Sequence, residues 1–139
     1  MPRLGIPIIY LLIGLLAACL LSCQQAEEHM PGVARMQIVM AQNRMPKPVY
    51  FLEDALHNQV SFELYFFDAT GSLLTLPGQP QFLVNGQPFA GNSYRFTRAG
   101  QYTFTARFNN RVCDNQLVLT ASAMRDYIDR LVINSFVPV

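Results

Sequence analysis

The sequence predicts an all-β domain, an antiparallel β-sandwich standing behind an N-terminal apolar helix. Three observations predict it. From residue 35 onward, short apolar runs alternate with turn residues about every 8 to 12 positions, the rhythm of a sandwich or barrel. Two segments, Val60 to Asp68 and Gln101 to Phe108, repeat their apolar residues with the two-residue period of a half-buried strand. No sustained helical period interrupts residues 35–121.

Residues 1–22 have the layout of a secretory signal peptide. The start is positive (Arg3), and Gly5 to Ser22 runs without a charge. Leu20-Leu21-Ser22-Cys23 resembles the lipobox of bacterial lipoproteins. In that family a small residue precedes the cut, the cysteine thiol is diacylated, and the new amino group is often acylated as well. The resemblance implies lipidation at Cys23 and a mature chain of residues 23–139. Leu16-Ala17-Ala18-Cys19 fits the same pattern, which makes Cys19 the alternative site. Cys23 is preferred because polar residues (Gln24, Gln25, Glu27, Glu28) follow it directly. An uncleaved membrane anchor is the other reading of this run, whose length approaches that of a bilayer span. Each reading leaves the remainder outside the cytoplasm. Burying acyl chains is worth about 0.8 kcal/mol per CH₂, so two or three chains anchor stably where one is marginal. Many Gram-negative lipoproteins retained at the inner membrane carry Asp after the cysteine. Gln24 in that place implies the outer membrane of a bacterial cell envelope.

Residues 23–34 read as a flexible tether, polar and interrupted by Pro31 and Gly32. Arg35 to Ala41 is the first expected strand. Pro46 and Pro48 border the next, Val49 to Leu52, and confine it to a sheet edge. In Val60 to Asp68, Val60, Phe62, Leu64 and Phe66 form the inward set; Ser61, Glu63, Tyr65 and Phe67 face out. Asp68 to Gly71 turns the chain. Gln81 to Asn85 follows, and Asn85-Gly86 is a hairpin signal, with Phe89 on the return strand. Gly91-Asn92 turns into Tyr94 to Thr97. Tyr102, Phe104, Ala106 and Phe108 share one face, Asn109-Asn110 turns again, and Val112 with Gln116 to Ala121 supplies the partner strand.

Ala99-Gly100-Gln101-Tyr102-Thr103-Phe104-Thr105-Ala106 resembles strand F of immunoglobulin-like domains, with Tyr102 in the place of the corner tyrosine whose hydroxyl bonds upstream backbone. The resemblance spans residues 35–121 and implies an immunoglobulin-like β-sandwich. Phe104 stands where antibody domains have their second disulfide cysteine, and the sequence contains no tryptophan, which sets it apart from the antibody type. Residues 122–139 form a tail with a helical turn or two over Ser122 to Asp129 and an apolar strand over Leu131 to Phe136. That last segment resembles the opening strand of the thioredoxin-like domain that follows an immunoglobulin-like module in one group of Bacteroidetes-type outer-membrane lipoproteins. No C-x-x-C accompanies it, so this likeness implies a truncated N-terminal part of such a protein.

Charge and chemistry narrow the function. The chain has ten basic and nine acidic residues, and Arg3 is the only one before residue 23, so the mature chain is near neutral and has no basic stripe for nucleic acid. Apart from Cys19 and Cys23 the chain has one cysteine, Cys113, and hence no internal disulfide framework. Cys113, near Arg111, reads as a packed strand-start cysteine, and His57 has no sequence relation to it that suggests a nucleophile and base. Glu53, Asp54 and Asp68 read as turn carboxylates and not as a calcium set. Histidine spacing fits no metal site. No catalytic residue, metal or cofactor is expected. Tyr65 and Phe67, facing outward, form the candidate contact patch. The expected function is a non-catalytic, lipid-anchored module serving protein–protein interaction or structural display at the envelope, with carbohydrate binding through the same patch, or the truncated thioredoxin-type lipoprotein, as the alternatives.

Overall fold

The computed structural model describes residues 30–135. These residues are mostly β, with two multi-stranded sheets, a single 3-10 turn (Ala41–Asn43) and one short α-helix. Its strands are β1 (Arg35–Met40), β2 (Tyr50–Phe51), β3 (Gln59–Phe67), β4 (Leu73–Leu74), β5 (Gln81–Val84), β6 (Gln87–Pro88), β7 (Ser93–Arg95), β8 (Gly100–Phe108), β9 (Arg111–Val112) and β10 (Leu117–Ser122). Helix α1 (Met124–Ser135) follows. In the first sheet β3 is central. β1 lies antiparallel along one side of it, and β4 and β7 pair with its two ends. The second sheet has the order β2-β10-β8-β5-β6, with β9 against the end of β8. Its edge strand β2 runs parallel to β10; the other pairings are antiparallel.

The predicted alternation builds the core. Val60, Phe62 and Phe66 of β3 and Phe104, Ala106 and Phe108 of β8 are buried, while the intervening residues of both strands are not. The two faces meet ring to ring. Phe62 lies 4.5 Å from Phe104 and 6.1 Å from Phe82, and Phe66 lies 4.9 Å from Phe108, between ring centroids. Asn85 (φ 49°) and Gly86 (φ 79°) both take left-handed backbone, as a two-residue hairpin turn demands, and Asn109 and Asn110 do the same between β8 and β9.

The outer edge of β1 is closed by side chains. Asp114 Oδ2 accepts the Met36 N–H (2.7 Å), and the Asp114 N–H donates to the Met36 carbonyl (2.8 Å). Asn115 treats Ile38 alike: Oδ1 accepts its N–H (2.8 Å) and Nδ2 donates to its carbonyl (2.9 Å). The β9–β10 connection thus acts as a substitute strand and joins the two sheets. Arg111 adds bonds to the Val33 and Ala34 carbonyls and an ion pair with Asp114.

Two expectations need correction. The predicted tether, residues 23–34, is too long at its C-terminal end. Met30 is buried and Val33 packs on the core, with Pro31-Gly32 making a tight turn between them. The Val33 N–H donates to the Met30 carbonyl, and Gly32 supplies the positive φ (84°) that a turn with proline before it requires. The strand expected over Leu131 to Phe136 is helical through Ser135. β2 lies beside the end of β10, paired at Ala121 and Ser122, and the tail turns away as a helix. Glu53 Oε2 accepts the Met124 N–H (3.0 Å), placing a carboxylate at the helix N-terminus where the backbone dipole favours it. Tyr127 packs edge-on to Phe51, and Arg130 donates to Ser122 Oγ. The likeness of this segment to an opening strand is therefore lost. Among the described residues no helix is long and apolar enough to cross a membrane.

Candidate functional site

The outward face of β3 carries the candidate patch. Its register with β1 sets Arg35 opposite Phe67, Gln37 opposite Tyr65 and Val39 opposite Glu63. Tyr65 and Phe67 are half-buried and meet edge to face at 6.5 Å. The Arg35 guanidinium sits 4.5 Å from the centre of the Phe67 ring, close enough for a cation–π contact. The Tyr65 hydroxyl donates to Glu63 Oε2 (3.0 Å), and this bond holds the phenol pKa above its ordinary value. Arg35 covers one face of Phe67, and the Tyr65 and Phe67 rings stand at 73° to one another.

Beside this patch the two sheets part. A groove of about 810 Å³ opens between β3 and β5, with Phe62, Phe82 and Phe89 among its lining residues and Glu63 and Tyr65 on the β3 side. A smaller hollow of about 270 Å³ continues toward Leu74 and Phe108 and shares Leu64, Tyr65 and Pro80 with it. The opening has a local cause. After β4, Leu76-Pro77-Gly78 carries the chain off the β3 edge and across to the second sheet. Gly78 makes this possible: its φ is 120°, and a Cβ there would sit 3.1 Å from the Phe108 ring.

The same departure leaves part of β3 without a neighbour. Ile38, opposite Leu64, gives both backbone groups to Asn115. The N–H and C=O of Leu64 therefore point away from β1, toward the edge that β7 and β4 share. β7 pairs only with Gln59 to Ser61, Asn92 serves both backbone groups of Phe62, and β4 resumes at Phe66. Leu64 lies between these, lining the groove. Sequence reasoning put Tyr65 and Phe67 outward and Leu64 inward, and all three are half-buried; it missed Arg35, Glu63 and the Leu64 edge. Pro77-Gly78 was the one local signal of the crossing.

The remaining residues considered in the sequence are dispersed. Cys19 and Cys23 lie outside the described residues. Cys113 is buried, accepts the Ala106 N–H at its sulfur and donates to the Asn115 carbonyl. His57 precedes β3 and bonds Asp54 (3.0 Å), at the opposite end of the sheets from Cys113, so the two form no pair. Asp54 and Asp68 flank β3 at its two ends and cannot converge on one cation. Each closes its own turn instead. The Thr70 hydroxyl and the Ser72 N–H hold the Asp68 carboxyl below its ordinary pKa. Among the described residues no three His, Cys, Asp or Glu side chains cluster as metal ligands. No protein family, curated protein or solved structure matches this chain.

Proposed function

We propose that this chain is a lipid-anchored protein of the bacterial cell envelope, held at the outer membrane through Cys23, whose immunoglobulin-like module makes a non-catalytic contact with another protein. The observation that carries the contact is the outward face of β3: two half-buried aromatics, Tyr65 and Phe67, beside a groove with Phe62, Phe82 and Phe89 in its lining. Partially exposed aromatic surface rimmed by polar groups is the usual chemistry of a protein contact. Arg35 and Glu63 supply such a rim.

Three features support the immunoglobulin-like reading. β3 and β8 form the central pair of facing strands, one per sheet. β2 runs parallel to β10 at the edge of the second sheet. The Tyr102 hydroxyl donates to the Arg98 carbonyl at 2.7 Å, the bond expected of a corner tyrosine. Tyr102→Phe is expected to lower the unfolding free energy by about 1 kcal/mol in urea titration. A loss within error of zero argues against a structural role for that hydroxyl and hence against the strand-F assignment.

The anchor rests on the resemblance of Leu20-Leu21-Ser22-Cys23 to the lipobox. Metabolic labelling with an alkyne fatty acid is expected to mark the wild type and to leave Cys23→Ala unmarked. Label kept in Cys23→Ala and lost in Cys19→Ala moves the anchor to Cys19; no label on the wild type sinks it. The contact is tested by cross-linking pull-down of the acylated protein from its envelope. The expected result is a protein partner in near-stoichiometric amount that is lost in a Tyr65→Ala/Phe67→Ala double variant. Capture unchanged by that variant argues against this face.

A further inference from the structure

We infer that the groove between β3 and β5 is a recognition slot for a short extended stretch of a partner polypeptide, bearing an apolar side chain next to a lysine or arginine. This rests on the reading of the chain as a protein-contacting module and specifies the form of the partner. The N–H and C=O of Leu64, without a strand partner among the described residues, are one donor and one acceptor at strand spacing along a sheet edge, which is the pattern that an added strand satisfies. The length of the slot is fixed by its ends. Phe62 is occupied by Asn92 and Phe66 by Leu74, and the four residue steps between them span about 13 Å. About three extended residues fit. Because Asn92 and Leu74 stand in line with the slot, the incoming chain has to leave the sheet plane at both ends, so a chain terminus or loop apex fits and a long strand does not.

The lining sets the side chains. Leu64 and Phe89, half-buried, offer an apolar wall to one apolar group, with Phe62 and Phe82 buried behind them, in a volume of the size that holds a compact ligand. Glu63 is the one charged residue among the described residues of that lining, and the Tyr65 hydroxyl donates to its carboxylate. Charge complementarity therefore selects a cationic neighbour. Gln79 and Gln81 on the opposite rim can take the polar groups of the departing chain.

A random heptapeptide phage library panned on the full-length chain in detergent micelles tests the slot. Enriched peptides are expected to combine Leu, Ile or Phe with an adjacent Lys or Arg. Their synthetic versions are expected to bind Glu63→Gln roughly tenfold more weakly and with less salt dependence. N-methylation of the peptide residue facing Leu64 is expected to weaken binding by a similar factor with every side chain intact. In amide hydrogen exchange the Leu64 N–H is expected to exchange fast in the free protein, between protected Phe62 and Phe66, and to become protected in the complex. A Leu64 amide already as protected as Phe66, no enrichment, or enriched peptides that protect some other segment each overturns the slot. An envelope partner that cross-links through Phe67 while the Leu64 amide still exchanges freely also overturns it, and leaves the contact reading standing.

Discussion

Phe104→Ala is expected to lower the unfolding free energy by about 3–5 kcal/mol. The ring has no solvent exposure and joins both layers of the fold. Its neighbours are Phe62 of the facing sheet at 4.5 Å, Tyr94 at 5.4 Å, Phe96 at 6.2 Å, Phe89 at 6.3 Å and Tyr102 at 6.4 Å. Truncation removes the transferred area and also leaves a cavity that these rigid rings cannot collapse to fill. Tilted and edge-to-face ring pairs add about 0.5–1.5 kcal/mol beyond area. Phe104→Leu, which keeps most of the volume, is expected to cost about half as much or less. Urea titration of the two variants checks the pair. A loss below about 1.5 kcal/mol for the alanine variant contradicts the central place given to this ring.

Asn115→Ala is expected to cost about 2–4 kcal/mol, a large effect for a polar residue in a connection between strands. The amide makes both bonds to Ile38, a residue only 1% exposed. Removing it leaves an N–H and a C=O in a dry place with no partner, and each such group costs about 1–3 kcal/mol. Asn115→Asp separates the two bonds. The carboxylate still accepts the Ile38 N–H but cannot donate to the carbonyl, so its stability is expected to fall between wild type and alanine. Amide exchange at Ile38 reports the same loss locally. If Asn115→Ala unfolds at the wild-type urea midpoint, the side chain is not closing the edge of β1.

These two residues also mark how far the sequence could be read. The inward place of Phe104 was legible because alternation in β8 is a property of neighbouring residues, as it is for Val60, Phe62 and Phe66 in β3. Asn85-Gly86 was legible for the same reason: a tight hairpin turn demands positive φ within two residues. Asn115 was not, since its role depends on a β-strand far upstream lying within reach. β4, only Leu73 and Leu74, is too short to carry a period. Leu131 to Ser135 was misread because a short apolar run fits helix or strand equally, and what favours the helix is tertiary: Glu53, distant in sequence, stands at its start. At the candidate site, the outward direction of Tyr65 and Phe67 followed from local alternation. The groove did not, because it depends on where β7 and β4 stop along β3.

The Asp114-Asn115 clamp has a bearing on how copies of the chain behave when packed closely together. Sheet proteins at high local density tend to zip flank to flank into fibres through bare strands. Here that flank of the first sheet is capped by side chains, and the outermost strands of the second sheet, β2 and β6, are two residues long, with Pro88 in β6. Those flanks therefore offer little bare strand to a neighbouring copy, and bare backbone is left among the described residues at the short Leu64 stretch of β3.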